Sequence, residues 1–300
     1  MSTHAPGSRR RSSLRRAAPI SAVPFVTGAL ISLAGLVATY MFFVESTTGQ
    51  FMDESALVQA KVAQRFIGLP AAGVLDFLPA TSVVIAALVV LFVTLARRRW
   101  KAAGIALAAM AAANVTTQLI KLGLPDRPFV GVQTLSLNSL PSGHSTLAAS
   151  AAAAVFLVVS PRWRPAAAFV GGSYAVVAGI ATLINQWHRP ADVVAAFFVV
   201  AFWTCAAALP VMRTGRSWNV WLGSGRHWAS RRWWTGLAAL VAIIAAVSTA
   251  LVLRAVSTHA HDSIISFFAA GVGLIVVAGY GLTVLGTLLL TQQVRRRSSR

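Results

Sequence analysis

Acidic residues and cysteine are the scarce ingredients of this chain. Seven aspartates and glutamates stand against 26 lysines and arginines in 300 residues, a formal net charge of +19. The single cysteine, Cys205, excludes an intramolecular disulfide and any metal cluster built on thiolates. Charged residues of either sign make up 11% of the chain, against roughly a quarter in a soluble domain. A soluble globular fold is excluded on that ground. What fills the chain instead is apolar: 57% of residues are hydrophobic, in recurring stretches of about 20.

The positive charge is not pooled as nucleic-acid binding requires. It lies in short clusters between apolar runs: Arg9 to Arg16, Arg97 to Lys101, Arg162 with Arg164, Arg213 to Arg232, and Arg295 to Arg300. That is the pattern of positive-inside membrane topology, so no nucleic-acid partner is expected. Arginine far outnumbers lysine and alanine is abundant, a composition that points to a GC-rich bacterial genome and a cell-membrane role.

The hydrophobic pattern predicts an all-α multi-pass bundle. Residues 1–22 form a basic, disordered tail, with 1–19 rich in Ser, Arg and Pro. Spans follow at about 23–44, 79–96, 102–121, 144–160, 166–186 and 190–210. Together 23–212 make a six-helix core. Between the first two spans, Ala56, Leu57, Ala60, Val62, Ala63, Phe66 and Ile67 recur at helical spacing, which predicts a short amphipathic helix at the interface. A basic, Trp-rich link at 213–234 leads to two further spans within 235–290, then a basic tail at 291–300. With a cytoplasmic amino terminus, alternation places 20 Lys/Arg inside and 6 outside, and all seven acids outside. Both termini are then cytoplasmic.

Three polar elements fall on the outer side of that scheme. Lys121 ends the third span and is followed by Arg127-Pro128. Pro141-Ser142-Gly143-His144 opens the fourth. His188-Arg189-Pro190-Ala191-Asp192 opens the sixth. Two histidines, a carboxylate one helical turn from one of them, and two cations are the parts needed to attack a phosphate ester. Asn114, Thr116, Thr117 and Gln118, inside the third span, are expected to make interhelical hydrogen bonds. His259, His261 and Asp262 read as an exposed polar loop.

The three elements resemble the signature of the type-2 phosphatidate phosphatase family, in the superfamily that includes vanadium haloperoxidases. That signature is Lys-x6-Arg-Pro, Pro-Ser-Gly-His and Ser-Arg-x5-His-x3-Asp. The chain offers Lys121-x5-Arg127-Pro128, the complete middle motif, and Ala181-Thr182-x5-His188-x3-Asp192. The resemblance implies a metal- and cofactor-independent hydrolase acting on a lipid phosphate in the bilayer. His188 would be the nucleophile, and Asp192 would orient it. His144 would be the general acid and then base. Lys121 and Arg127 would neutralise phosphoryl oxygens, and Ser142 with Gly143 would offer backbone N–H groups at a helix start. The chain departs from the signature where Ala181-Thr182 replaces Ser-Arg. Arg189 and Thr182 are the residues that would compensate. Two alternatives stand beside this reading: a catalytically impaired member that binds or moves a phospholipid, and a phosphotransferase. No protein partner is legible, nor is oligomeric state.

Overall fold

A computed structural model describes residues 20–134, 137–214, 219, 227–258 and 265–298. Among them all regular secondary structure is helical, with no strand. Eight α-helices follow in order: α1 (Val23–Phe43), α2 (Thr47–Arg97), α3 (Trp100–Gly123), α4 (Gly143–Val158), α5 (Arg164–Ile184), α6 (Pro190–Thr214), α7 (Trp233–Thr258) and α8 (Ser266–Ser298), with a 3-10 turn at Trp228–Ser230 before α7. Residues 1–19, 215–218 and 220–226 of the Trp-rich link, and the loop with His259, His261 and Asp262 lie outside the described residues.

The helix ends follow from local chemistry. Ser46 caps α2 by accepting Gly49 N–H at 3.1 Å, and Ser142 caps α4 by accepting Ser145 N–H at 3.3 Å. Prolines stand in the first turns of α1 and α5, where a missing N–H costs nothing. Arg98, at φ 50°, closes α2 in the left-handed region.

Six helices are long and apolar enough to cross a membrane: α1, α3, α5, α6, α7 up to Val256 and α8 up to Val294. The other two expected spans are shorter apolar helices, Val84–Arg97 within α2 and Gly143–Val158. The expected interfacial helix is not a separate element. It is the first part of α2, whose 51 residues run on into the second span. Prolines 70 and 79 lie within it. An internal proline removes one backbone hydrogen bond and bends a helix without having to end it.

Helix α4 is central, packed by α2, α3, α5 and α6. Helix α1 lies on α6, and α7 is held through α8, which rests on α2, α5 and α6. The polar groups of α3 make the interhelical bonds expected: Asn114 Nδ2 donates to Ser150 Oγ at 3.0 Å, Thr117 and Thr146 share one at 2.9 Å, and Trp203 Nε1 donates to Thr116 Oγ1 at 3.0 Å. Alternation along this antiparallel bundle brings the ends of α1, α3 and α5 and the starts of α2, α4 and α6 to one end. The three polar elements meet there.

Candidate functional site

Asp192 organises that end. It sits in the first turn of α6, fully buried, and its Oδ2 collects three donors. Ser139 Oγ donates at 2.6 Å, Arg189 N at 3.1 Å, and His188 Nδ1 lies at 3.1 Å. A carboxylate so placed can only accept, so the imidazole proton stands on Nδ1 and the Nε2 lone pair is left to act. The four-residue spacing of His188 and Asp192 gives one helical turn, as expected. The second motif is fastened to the third through the backbone, where Ser142 N–H donates to Asp192 O at 2.8 Å.

His144 and Lys121 face this pair. The His144 ring lies against Trp187 with centroids 5.2 Å apart. His188 and Lys121 both lie within electrostatic reach of His144. Lys121 Nζ lies 3.9 Å from the place a side chain on Gly143 would begin, so the lysine reaches over the start of α4. The Ser142 N–H, expected to meet phosphate, is spent on Asp192 O and the Ser145 N–H on Ser142 Oγ, so the anion-favouring N–H groups of this helix start are those of Gly143 and His144.

The arginines are placed differently from the sequence expectation. Arg127 is buried among carboxylates. Its Nη2 is 3.3 Å from Asp53 Oδ2 and 3.7 Å from Asp192 Oδ1, and its Nη1 donates to Phe43 O at 3.4 Å. Arg189 also has an acidic partner, Glu54, with Nε to Oε2 at 2.8 Å. Its other nitrogens donate to Thr134 Oγ1 at 2.5 Å and Ser139 Oγ at 3.4 Å. Thr182 is buried, and its hydroxyl donates to Gly179 O of its own helix at 2.7 Å. Lys121 is therefore the one site lysine or arginine without an ion-pair partner among the described residues.

Sequence reasoning missed Asp53 and Glu54, which belong to the start of α2. Asp53 Oδ1 accepts Ala191 N–H at 2.9 Å, so one carboxylate holds both Arg127 and the first turn of α6. Burial, with Asp192 close by, pushes the Asp53 carboxyl up to about 7 against the opposing pull of Arg127. Ser139 and Thr134 were missed as well. The scarcity of acids was the available signal, since a buried carboxylate in an acid-poor membrane protein requires a partner. Among the described residues no three His, Cys, Asp or Glu side chains converge as a metal-ligand set.

Residues 102–216 match the family model of the PAP2 superfamily. The matched stretch runs from α3 to the end of α6 and holds all three motifs, and it supports a phosphatase-type activity. It leaves α1, α2, α7 and α8 outside, and with them Asp53 and Glu54. No curated protein and no solved structure matches the chain.

Proposed function

We propose that the protein is a multi-pass membrane phosphatase that hydrolyses a phosphomonoester or diphosphate of a lipid. Polyprenyl diphosphate, phosphatidic acid and phosphatidylglycerol phosphate are the candidate substrates. The observation that carries the reading is the His188–Asp192 pair: an imidazole with Nδ1 held by a three-donor carboxylate and Nε2 left to attack. In the first step Nε2 forms a bond to phosphorus as the phosphorus–oxygen bond to the leaving group breaks. His144 gives that oxygen its proton. In the second step water attacks phosphorus, His144 takes the water's proton, and the phosphorus–nitrogen bond breaks to release phosphate. Lys121 and the N–H groups at the start of α4 hold the phosphoryl oxygens. Asp192 stabilises the charged imidazole. The excess of Lys/Arg at the opposite helix ends supports an extracytoplasmic site with both termini cytoplasmic.

One observation favours a second reading. Arg127 and Arg189 are both paired with carboxylates, and Thr182 stands where the family signature has arginine. A site so short of free cations suits a catalytically impaired lipid-binding protein. One experiment separates the two. Phosphate release is measured in detergent and EDTA from the three lipids and from a soluble phosphomonoester, with His188→Ala as control. Release that persists in EDTA and vanishes in the variant is expected. No release from any substrate by folded protein overturns the phosphatase in favour of the binder.

A further inference from the structure

On the far side of the bundle from the histidines lies a cavity of about 400 Å3. It is walled by the first half of α1 and α5, the second half of α4, and the middle of α6 and α8. Its volume is in the range of ligand sites. Along α6 it runs from Phe197 to Cys205, about 12 Å at 1.5 Å per residue. That is most of one leaflet of a bilayer whose hydrocarbon core is about 30 Å thick. A layer of residues with no exposed surface, Ala148, Ala178, Val193 and Ala196, lies between it and the catalytic end. The cavity is a separate space and not the floor of the phosphate site.

The walls dictate what can enter. They include no charged residue. The hydroxyls of Ser32, Thr204 and Thr283 donate to carbonyls one turn back on their own helices, at 2.8, 2.7 and 2.8 Å. These three groups are satisfied; apart from Thr27 and the Cys205 thiol, the other side chains of the lining are hydrocarbon. Ile31 on α1 and Leu285 on α8 stand at the rim, 57% and 59% exposed, so the space opens sideways onto the lipid-facing surface. Its lower end lies beside the basic ends of the helices. Exposed Arg162 is five residues before wall residue Ala167, and exposed Arg213 is eight residues after Cys205.

We propose that this cavity binds one chain of an anionic phospholipid from the leaflet at the basic end, with its headgroup phosphate at Arg162 and Arg213. The chain replaces packing contacts that an empty space would forfeit, and the arginines supply the preference for negative headgroups. Helix α8, outside the family match, furnishes one wall, so the bound lipid joins the added carboxyl-terminal helices to the core. The proposal does not depend on the phosphatase reading.

The test uses the full-length protein in nanodiscs of dioleoyl phosphatidylglycerol or dioleoyl phosphatidylcholine. Cys205 is the only cysteine and lines the cavity, so its alkylation by N-ethylmaleimide reports occupancy. Two arginines predict protection by phosphatidylglycerol stronger than by phosphatidylcholine by roughly tenfold or more. Native mass spectrometry is expected to show one retained phosphatidylglycerol, lost in Ala201→Phe and Ala152→Phe, which fill the space. Both variants are expected to stay monodisperse with a wild-type thermal midpoint, which reads the fold independently of any activity. Equal lipid retention by wild type and filled variants overturns the proposal. So does equal protection by the two phospholipids, or protection only by a long-chain phosphate substrate, which would make the cavity a substrate channel. If the filled variants do not fold, wild-type alkylation decides: a rate unchanged by delipidation overturns the site.

Discussion

Replacing Asp53 by asparagine removes a titrating proton from the centre of the site while preserving its shape. The ordinary acidity of the carboxyl is 3.8, and in the folded protein it is pushed up to about 7, first by burial and then by Asp192. The folded state therefore holds this proton more tightly than the unfolded chain does. Asp53 contributes its full stability below about pH 4, and that stability is lost as pH rises towards about 7. A pKa unit corresponds to a little over 1 kcal/mol, so the whole window is worth roughly 4 kcal/mol at most. Asparagine keeps an oxygen for Ala191 N–H but turns an amide towards Arg127, at a cost of about 1 kcal/mol. The assay is the thermal midpoint in detergent, followed by tryptophan fluorescence from about pH 4.5 to about pH 7.5. Relative to Asp53→Asn, wild type is expected to lose stability across that range. Asp53→Asn is expected to start lower, follow a flatter curve and cross wild type near the upper end. Parallel curves would refute the reasoning, because the titrating groups remote from Asp53 are common to both proteins and cancel in the comparison.

Three further outcomes follow from the same geometry. Ser139→Ala removes the 2.6 Å donor to Asp192; a hydrogen bond to a charged group is worth about 2 kcal/mol, so kcat for phosphate release is expected to fall roughly thirtyfold, and an unchanged kcat would show that this bond does not serve the reaction. Glu54→Gln frees Arg189 from its 2.8 Å ion pair; as a new phosphate ligand the arginine is expected to lower KM about tenfold at constant kcat, whereas a higher KM would show that the pair holds the site together. Gly49→Ala places a Cβ 1.8 Å from Phe42 O at the α1–α2 turn; a loss of at least about 2 kcal/mol is expected, seen as a midpoint several degrees lower, and an unchanged midpoint would contradict this turn geometry.

The helices were readable because each span is a long apolar run and each boundary carries its own chemistry, as Ser142 and Pro190 do. The meeting of the motifs was readable too, since alternation of antiparallel helices decides which ends share a side. The continuity of α2 was not. Its start is polar and its end apolar, and a pattern that changes in mid-helix looks like two elements when only local periodicity is available. The fate of the arginines was hidden for a different reason. Arg127 finds Asp53 across 74 residues and Arg189 finds Glu54 across 135, and no short-range rule reaches that far.

Those pairings change what the missing signature arginine means. Asp192, Asp53 and Glu54 are three of only seven acids in the chain, and all three lie at one end of the bundle. Arg127 and Arg189 offset much of their charge before any phosphate arrives. An additional buried arginine at position 182 would need a counter-charge of its own, and Thr182, packed and bonded to Gly179 O, needs none. On the proposed function, the work of meeting a phosphate falls to Lys121, to the N–H groups opening α4 and to the imidazoles. Of these, only Lys121 carries a fixed positive charge. A substrate that brings cations with it, or one whose phosphate is singly charged at the working pH, fits such a site better than a free dianion. Lowering the pH towards the second ionisation of the phosphate, near 6 as a rough figure, is therefore expected to lower KM. A KM that rises over the same interval would place the decisive protonation on the protein instead.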